Sequence, residues 1–205
     1  AALINCSPAE VVFISCGSEG DNFAIKGTAD ALRGKGNHII TTTVEHPAVL
    51  ETCEQLEKEG FDVTYLQVDC DGALDLAALE AAITDQTILI SVMWANNETG
   101  NLYPIEEIGK IAKKYKIRFH TDAVQAVGKI PVDVQKANVD LAVISGHKIG
   151  AAKGVGAIYI RRGTRLTRFM HGGHQERNRR AGTHNVAGIV GMGGATFPTH
   201  VKLSP

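Results

Sequence analysis

Short β-rich runs alternate with helical patterns along most of this 205-residue chain. The candidate strands are Val11–Ile14, His38–Thr43, Val63–Val68, Thr87–Met93, Ile117–Thr121, Leu141–Ser145 and Gly156–Ile160. Most are continuous apolar runs, the pattern of strands covered on both faces. Strand–helix alternation at this spacing predicts right-handed βαβ units. The expected fold is a three-layer α/β/α arrangement around a mainly parallel seven-stranded sheet.

The intervening segments carry helix signals. Pro104–Lys116 has Pro104 at the favoured first position, Glu106 and Glu107 in its first turn, and Lys113, Lys114 and Lys116 in its last. That order of charge matches the helix macrodipole. Ile105, Ile108, Ala112 and Tyr115 form its apolar stripe. Further helices are expected from Pro47 to about Glu59, over Asp75–Thr84, and from just after Ser18 to about Arg33. The pattern weakens beyond about residue 160, and 196–205 reads as an irregular terminus.

Composition excludes several classes. Apolar residues make up 44% and charged residues 21%, which is ordinary globular usage. The net charge of −1 argues against a general nucleic-acid binder. Charge is unevenly spread: residues 1–160 hold 13 basic and 21 acidic side chains, and 161–205 hold 8 and 1. The basic segment reads either as a solvated face or as an anion-handling one. No apolar run is long enough to span a membrane. Cys6, Cys16, Cys53 and Cys70 form no CxxC pair, so reduced thiols and a cytoplasmic location are expected. No metal site is expected: His171 and His174 flank two glycines with no second ligand pair.

In an open α/β sheet, ligands bind beyond the carboxyl ends of the strands. The residues following successive strands here are 15–22, Glu45-His46, 95–100, Asp122 with Gln125, and 145–148. Gly17-Ser18 ahead of a helix offers free N–H groups and a hydroxyl to a phosphate, although the same residues serve as ordinary turns and caps. The Walker ending and G-x-G-x-x-G are both absent, which disfavours an NTPase and a dinucleotide fold. A lysine at a strand end can form a Schiff base, and an acid can face a pyridinium nitrogen. Lys148, Asp122 and Gly17-Ser18 supply the three groups that pyridoxal 5′-phosphate (PLP) requires, with His46 available to stack on a ring.

These strings resemble those of the NifS-type cysteine desulfurases, which are class V aminotransferase-like, fold-type I PLP enzymes. The matching segments are Ser15–Asn22, Val44–Leu50, Ser91–Gly100, His120–Lys129, Ser145–Lys148, Gly172–Glu176 and Arg179–Thr183, in family order over about residues 8–193. The resemblance implies that Lys148 forms the Schiff base, Asp122 keeps the pyridine nitrogen protonated, and His46 stacks on the ring. It further implies that Asn97 and Gln125 meet the phenolic-oxygen side. Gly17, Ser18, Ser145 and His147 would bind the phosphate. Thr183 would reach the phosphate of a second subunit, which makes the expected assembly a homodimer. Arginines of 161–180 are expected either near that shared site or on a solvated face.

The implied activity removes sulfur from L-cysteine, giving alanine and an enzyme persulfide that passes to an iron–sulfur scaffold protein. Residues 1–195 would be the PLP-binding large domain. The family's N-terminal segment and its small C-terminal domain, with the nucleophilic cysteine loop, are expected to be absent, so the isolated chain is expected to be impaired. Gly150-Ala151-Ala152 replaces the usual bulky residue, Gly and Pro after the lysine, and is expected to loosen that loop. The alternatives are selenocysteine lyase, another class V aminotransferase-like reaction, or a non-catalytic PLP-binding dimerisation remnant.

Overall fold

The computed structural model describes residues 1–195, so the terminus expected at 196–205 lies outside the described residues. Seven strands form one sheet: β1 Val11–Ile14, β2 His38–Thr42, β3 Asp62–Leu66, β4 Thr87–Ser91, β5 Arg118–Asp122, β6 Leu141–Ser145 and β7 Gly156–Ile160. Their spatial order is β1-β7-β6-β5-β4-β2-β3. Six strands run one way. β7 runs against both neighbours, because a short connection returns the chain directly from β6 and pairs Ser145 with Gly156. Five of the strands, β2, β4, β5, β6 and β7, are buried along all or nearly all of their length, which explains the apolar runs of β4, β6 and β7.

The helices are α1 Gly17–Leu32, α2 Pro47–Lys58, α3 Leu76–Ala81, α4 Ile105–Tyr115, α5 Gln175–Asn178 and α6 Val186–Ala195. α1 and α2 cover one face of the sheet: Ile25, Ala29 and Leu32 meet Val49, Cys53 and Leu56 over Ile39 and Leu89. The opposite face gathers Leu79 of α3, Ile108 and Ala112 of α4, and Met192 of α6 against Ile90, Phe119, Ala142 and Tyr159. The expected three layers are therefore present.

α1 comes close to the sheet through Gly20. A Cβ there would fall 2.6 Å from Val143 Cγ1 and 2.7 Å from Ile14 Cδ1, so only glycine allows this approach. Two helix boundaries differ from expectation. Pro104 occupies the N-cap of α4, one position before the first helical residue. α3 ends at Ala81, well short of Thr84, after an Asp75 side-chain cap on the Ala77 N–H at 2.8 Å.

Candidate active site

Loops after β1, β2, β4, β5 and β6 meet at the carboxyl edge of the sheet, where order reverses between β4 and β2. They enclose a cavity of about 380 Å³. Nine of the expected site residues line it: Gly17, Ser18, His46, Asn97, Asp122, Gln125, Ser145, His147 and Lys148. A larger hollow of about 560 Å³, bounded by Leu3, Ile4, Phe13, Ile144 and Met192, lies on the α4/α6 side and is almost entirely apolar. The strand-end loops bring their polar groups to the smaller one.

Each lining group is set by its own element. Cys16 caps α1, its Sγ accepting from the Glu19 N–H at 3.5 Å. Gly17 and Ser18 lie in the unpaired first turn and line the cavity. A Cβ on Gly17 would meet Val124 Cγ2 at 3.3 Å, so the backbone sits tight against the β5 loop. His46 caps α2: its Nδ1 accepts from the Ala48 N–H at 3.1 Å. That bond puts the ring proton of the neutral imidazole on Nε2 and fixes the ring plane.

Asp122 ends β5 and is buried. Its Oδ1 accepts from the Val124 N–H at 2.8 Å. Burial, and then the neighbouring Asp21 carboxyl, push it up to about 7. Ser145 Oγ and His147 Nδ1 are 2.9 Å apart. Asn97 Nδ2 donates to Glu98 Oε1 at 2.6 Å, and Lys129 Nζ donates to Gln125 Oε1. Lys148 sits on a 3₁₀ turn, Gly146–Ile149, exposed and without a hydrogen bond or ion pair among the described residues. Gly150 ends that turn at φ +87°, and the Ala151 N–H closes onto the Gly146 carbonyl at 3.0 Å. A defined turn therefore carries the lysine.

Thr183 stands apart. It lines a separate hollow of about 160 Å³ with Ser15, Arg180 and His184. The arginines of 161–180 divide. Arg161 bonds to the Val134 and Val139 carbonyls and to Gln135, and Arg177 bonds to the Ala9 and Val11 carbonyls. Arg180 makes a two-pronged bond to Glu19, at 2.7 and 3.1 Å. Arg162, Arg165 and Arg168 are exposed. With Arg179, which reaches the Ala9 carbonyl at 3.4 Å, four of the segment's seven arginines are tied to other parts of the chain.

Sequence reasoning assigned no role to three buried groups under the cavity. Asp21, on α1, lines it from below. His120 lies two residues before Asp122 and so shares its face of β5. Glu45 accepts from the Met93 N–H at 2.9 Å and from Thr42 Oγ1 at 3.0 Å, and burial pushes it up to about 8. The available signal was an acid and a histidine placed in otherwise apolar, sheet-facing positions.

The class-V aminotransferase family model matches residues 1–197. A cysteine desulfurase of Nostoc sp. is 57% identical over 195 residues, covering 95% of this chain and 48% of that protein. The cysteine desulfurase IscS of Methanosarcina thermophila is 58% identical over 187 residues, covering 91% and 46%. Among solved structures, a NifS-like protein superposes with a TM-score of 0.93 at 44% identity, covering 96% of this chain and 54% of its own. A structure described as SspA in complex with cysteine gives 0.93 at 42%, covering 96% and 57%. The chain spans about half the length of the curated relatives it matches. The shared sheet, with its loops gathered at one edge, together with this match over nearly the whole sequence, leads to one conclusion: the chain belongs to the class-V aminotransferase family.

Proposed function

We propose that this chain carries the PLP site of a cysteine desulfurase. The observation that carries the reading is the convergence of Lys148, Asp122 and the α1 N-terminus on one cavity. The family is PLP-dependent in general, and the donor set fits the group. Lys148 offers an amine free of competing partners. The Gly17 and Ser18 N–H groups offer an anion cradle at the start of α1. Asp122 offers one buried carboxyl opposite it.

When bound, PLP would serve as an electron sink for bonds to the amino-bearing carbon of the substrate. Lys148 would hold the cofactor carbonyl and carry protons to and from that carbon. Asp122 would balance the charge of the ring nitrogen. His46, its plane fixed by the α2 cap, would wall one ring face. Asn97 and Gln125 would border the phenolic edge, and Ser18, Ser145 and His147 would bind the phosphate. Thr183 would act on the site of a second copy, because it lies outside the cavity of its own chain.

The overall reaction is the conversion of L-cysteine to alanine, with its sulfur transferred to a thiolate as a persulfide. An iron–sulfur scaffold protein is the proposed acceptor. Free thiols at all four cysteines suit the reducing cytoplasm. No helix among the described residues is long and apolar enough to cross a membrane.

A second reading is a PLP-binding unit that does not itself accept sulfur. It is favoured by the cysteines: among the described residues only Cys16 lines the cavity, and its sulfur is engaged as the α1 cap.

The test is absorbance after PLP is added and the excess removed. A retained band bleached by borohydride is expected, and it should be lost in Lys148→Ala. A band that persists in that variant refutes the assignment of Lys148. Alanine and sulfide from cysteine would support desulfuration, whereas a keto acid product would refute it.

A further inference from the structure

Two buried polar atoms beneath the cavity face each other with no hydrogen-bond partner: Asp21 Oδ1 and His120 Nε2. They are 3.5 Å apart, and their side chains are 2% and 0% exposed. The other ring nitrogen, His120 Nδ1, lies 2.8 Å from Ser91 Oγ. α1 sets Asp21 over the sheet, and β4 and β5 deliver Ser91 and His120 to the same face. Asp122, two residues along β5, is the group that the proposed cofactor reading makes counter-ion to the ring nitrogen.

We infer that Asp21 is a positioning residue for Asp122: it donates a proton to His120 Nε2, and the resulting neutral Asp21–His120–Ser91 chain leaves Asp122 as the one carboxylate that meets the cofactor nitrogen. The role of Asp122 in this statement rests on the PLP reading; the neutral chain does not.

Three arrangements can satisfy the pair. A protonated Asp21 can donate to Nε2, with Nδ1–H donating to Ser91 Oγ. An ionised Asp21 can accept from Nε2–H, with Ser91 donating to Nδ1. An ionised Asp21 can also pair with an imidazolium. The last two put a second negative charge beside Asp122, in a site with no water-facing route for either atom. Glu45 and Asp122 are the acids that act on this region, and His46 borders it from the α2 cap. Adding an ionised Asp21 would crowd anions there. Burial favours the neutral form of both partners, lifting Asp21 to about 8 and lowering His120 to about 4. Of the three, the first leaves neither partner charged, and it satisfies both orphaned atoms.

The test is ¹⁵N NMR of histidine-labelled chain at neutral pH, without cofactor. His120 is expected with Nδ1 protonated and Nε2 as acceptor. Asp21→Asn, whose amide can also donate, should keep that pattern, and Asp21→Leu should lose it. A protonated Nε2 in the unmodified chain overturns the inference. PLP titrations of the same proteins read the positioning role: Asp21→Leu should raise Kd by on the order of tenfold, and Asp21→Asn should bind more tightly than Asp21→Leu. Equal affinity of Asp21→Leu and the unmodified chain also overturns it. Failure of the unmodified chain to bind PLP would refute the cofactor reading and the role of Asp122, while the histidine spectrum would still decide the state of the pair.

Discussion

Replacing Arg180 with methionine should expose how the segment beyond β7 is fastened to the first turn of α1. Glu19 is buried, and Arg180 grips it through Nε at 2.7 Å and Nη2 at 3.1 Å. Ser15 adds a backbone donor at 2.8 Å and its hydroxyl. Burial by itself would raise the Glu19 carboxyl, but these donors together hold it below its ordinary value of 4.5. Its contribution to stability is therefore present above 4.5 and is lost as pH falls through the lower folded value. Breaking a buried pair by removing one partner costs about 3–5 kcal/mol. In Arg180→Met the orphaned carboxylate has an escape, because it can take up a proton. From 4.5 to pH 7 that uptake costs about 3.4 kcal/mol, which caps the penalty. The two remaining Ser15 bonds lower it further, so a loss of about 2–3 kcal/mol is expected at pH 7. At pH 5 the same uptake costs only about 0.7 kcal/mol, so the gap to the parent chain should narrow, while the gain from the lowered Glu19 carboxyl is still lost. Urea unfolding at the two pH values measures both numbers, read as midpoint shifts at constant slope. Adding Glu19→Gln should recover most of the loss at pH 7. A deficit of equal size at both pH values would mean that Arg180 acts by packing alone, and the charge argument would fail.

Other substitutions test neighbouring parts of the reasoning. Gly20→Ala should cost about 1–3 kcal/mol despite its better helix propensity, because its Cβ would overlap Val143 and Ile14; a more stable variant would show that α1 can lift from the sheet freely. His46→Ala should lose about 1 kcal/mol of stability with the α2 cap, whereas His46→Asn should retain it, a difference measurable by thermal unfolding without cofactor. The folded Glu45 carboxyl is raised from 4.5 to about 8, so its favourable contribution is complete below 4.5 and declines as pH rises to 8. Glu45→Gln should flatten that part of the stability–pH curve by about 1–3 kcal/mol, and an unchanged slope would refute the assignment.

The fold was largely legible because its signals are local. Continuous apolar runs mark strands covered on both faces, and Val11–Ile14, Leu141–Ser145 and Gly156–Ile160 appear with their expected bounds. The Pro47 and Pro104 helices carry their own start signals. The cavity was legible for the same reason: strand-end loops in a parallel sheet must meet at one edge, so Gly17, His46, Asp122 and Lys148 could be grouped before any coordinates. Element ends were harder, since α3 stops where its packing stops, which the Asp75–Thr84 pattern does not record.

Pairings between distant segments lay beyond sequence reading. Nothing along the chain joins Glu19 to Arg180 or Asp21 to His120, because charge complementarity has many solutions in one dimension and one in three. Burial, likewise, is a property of the assembled layers. It shifts the titration of Asp21, Glu45, His120 and Asp122, groups whose residue types alone would suggest ordinary acids and an ordinary histidine. The sequence determined which strands form, which loops share an edge and which chemical groups those loops carry. Only the tertiary structure decided which of those groups lose water, and hence which hold a proton, because desolvation depends on every layer packed above and below them.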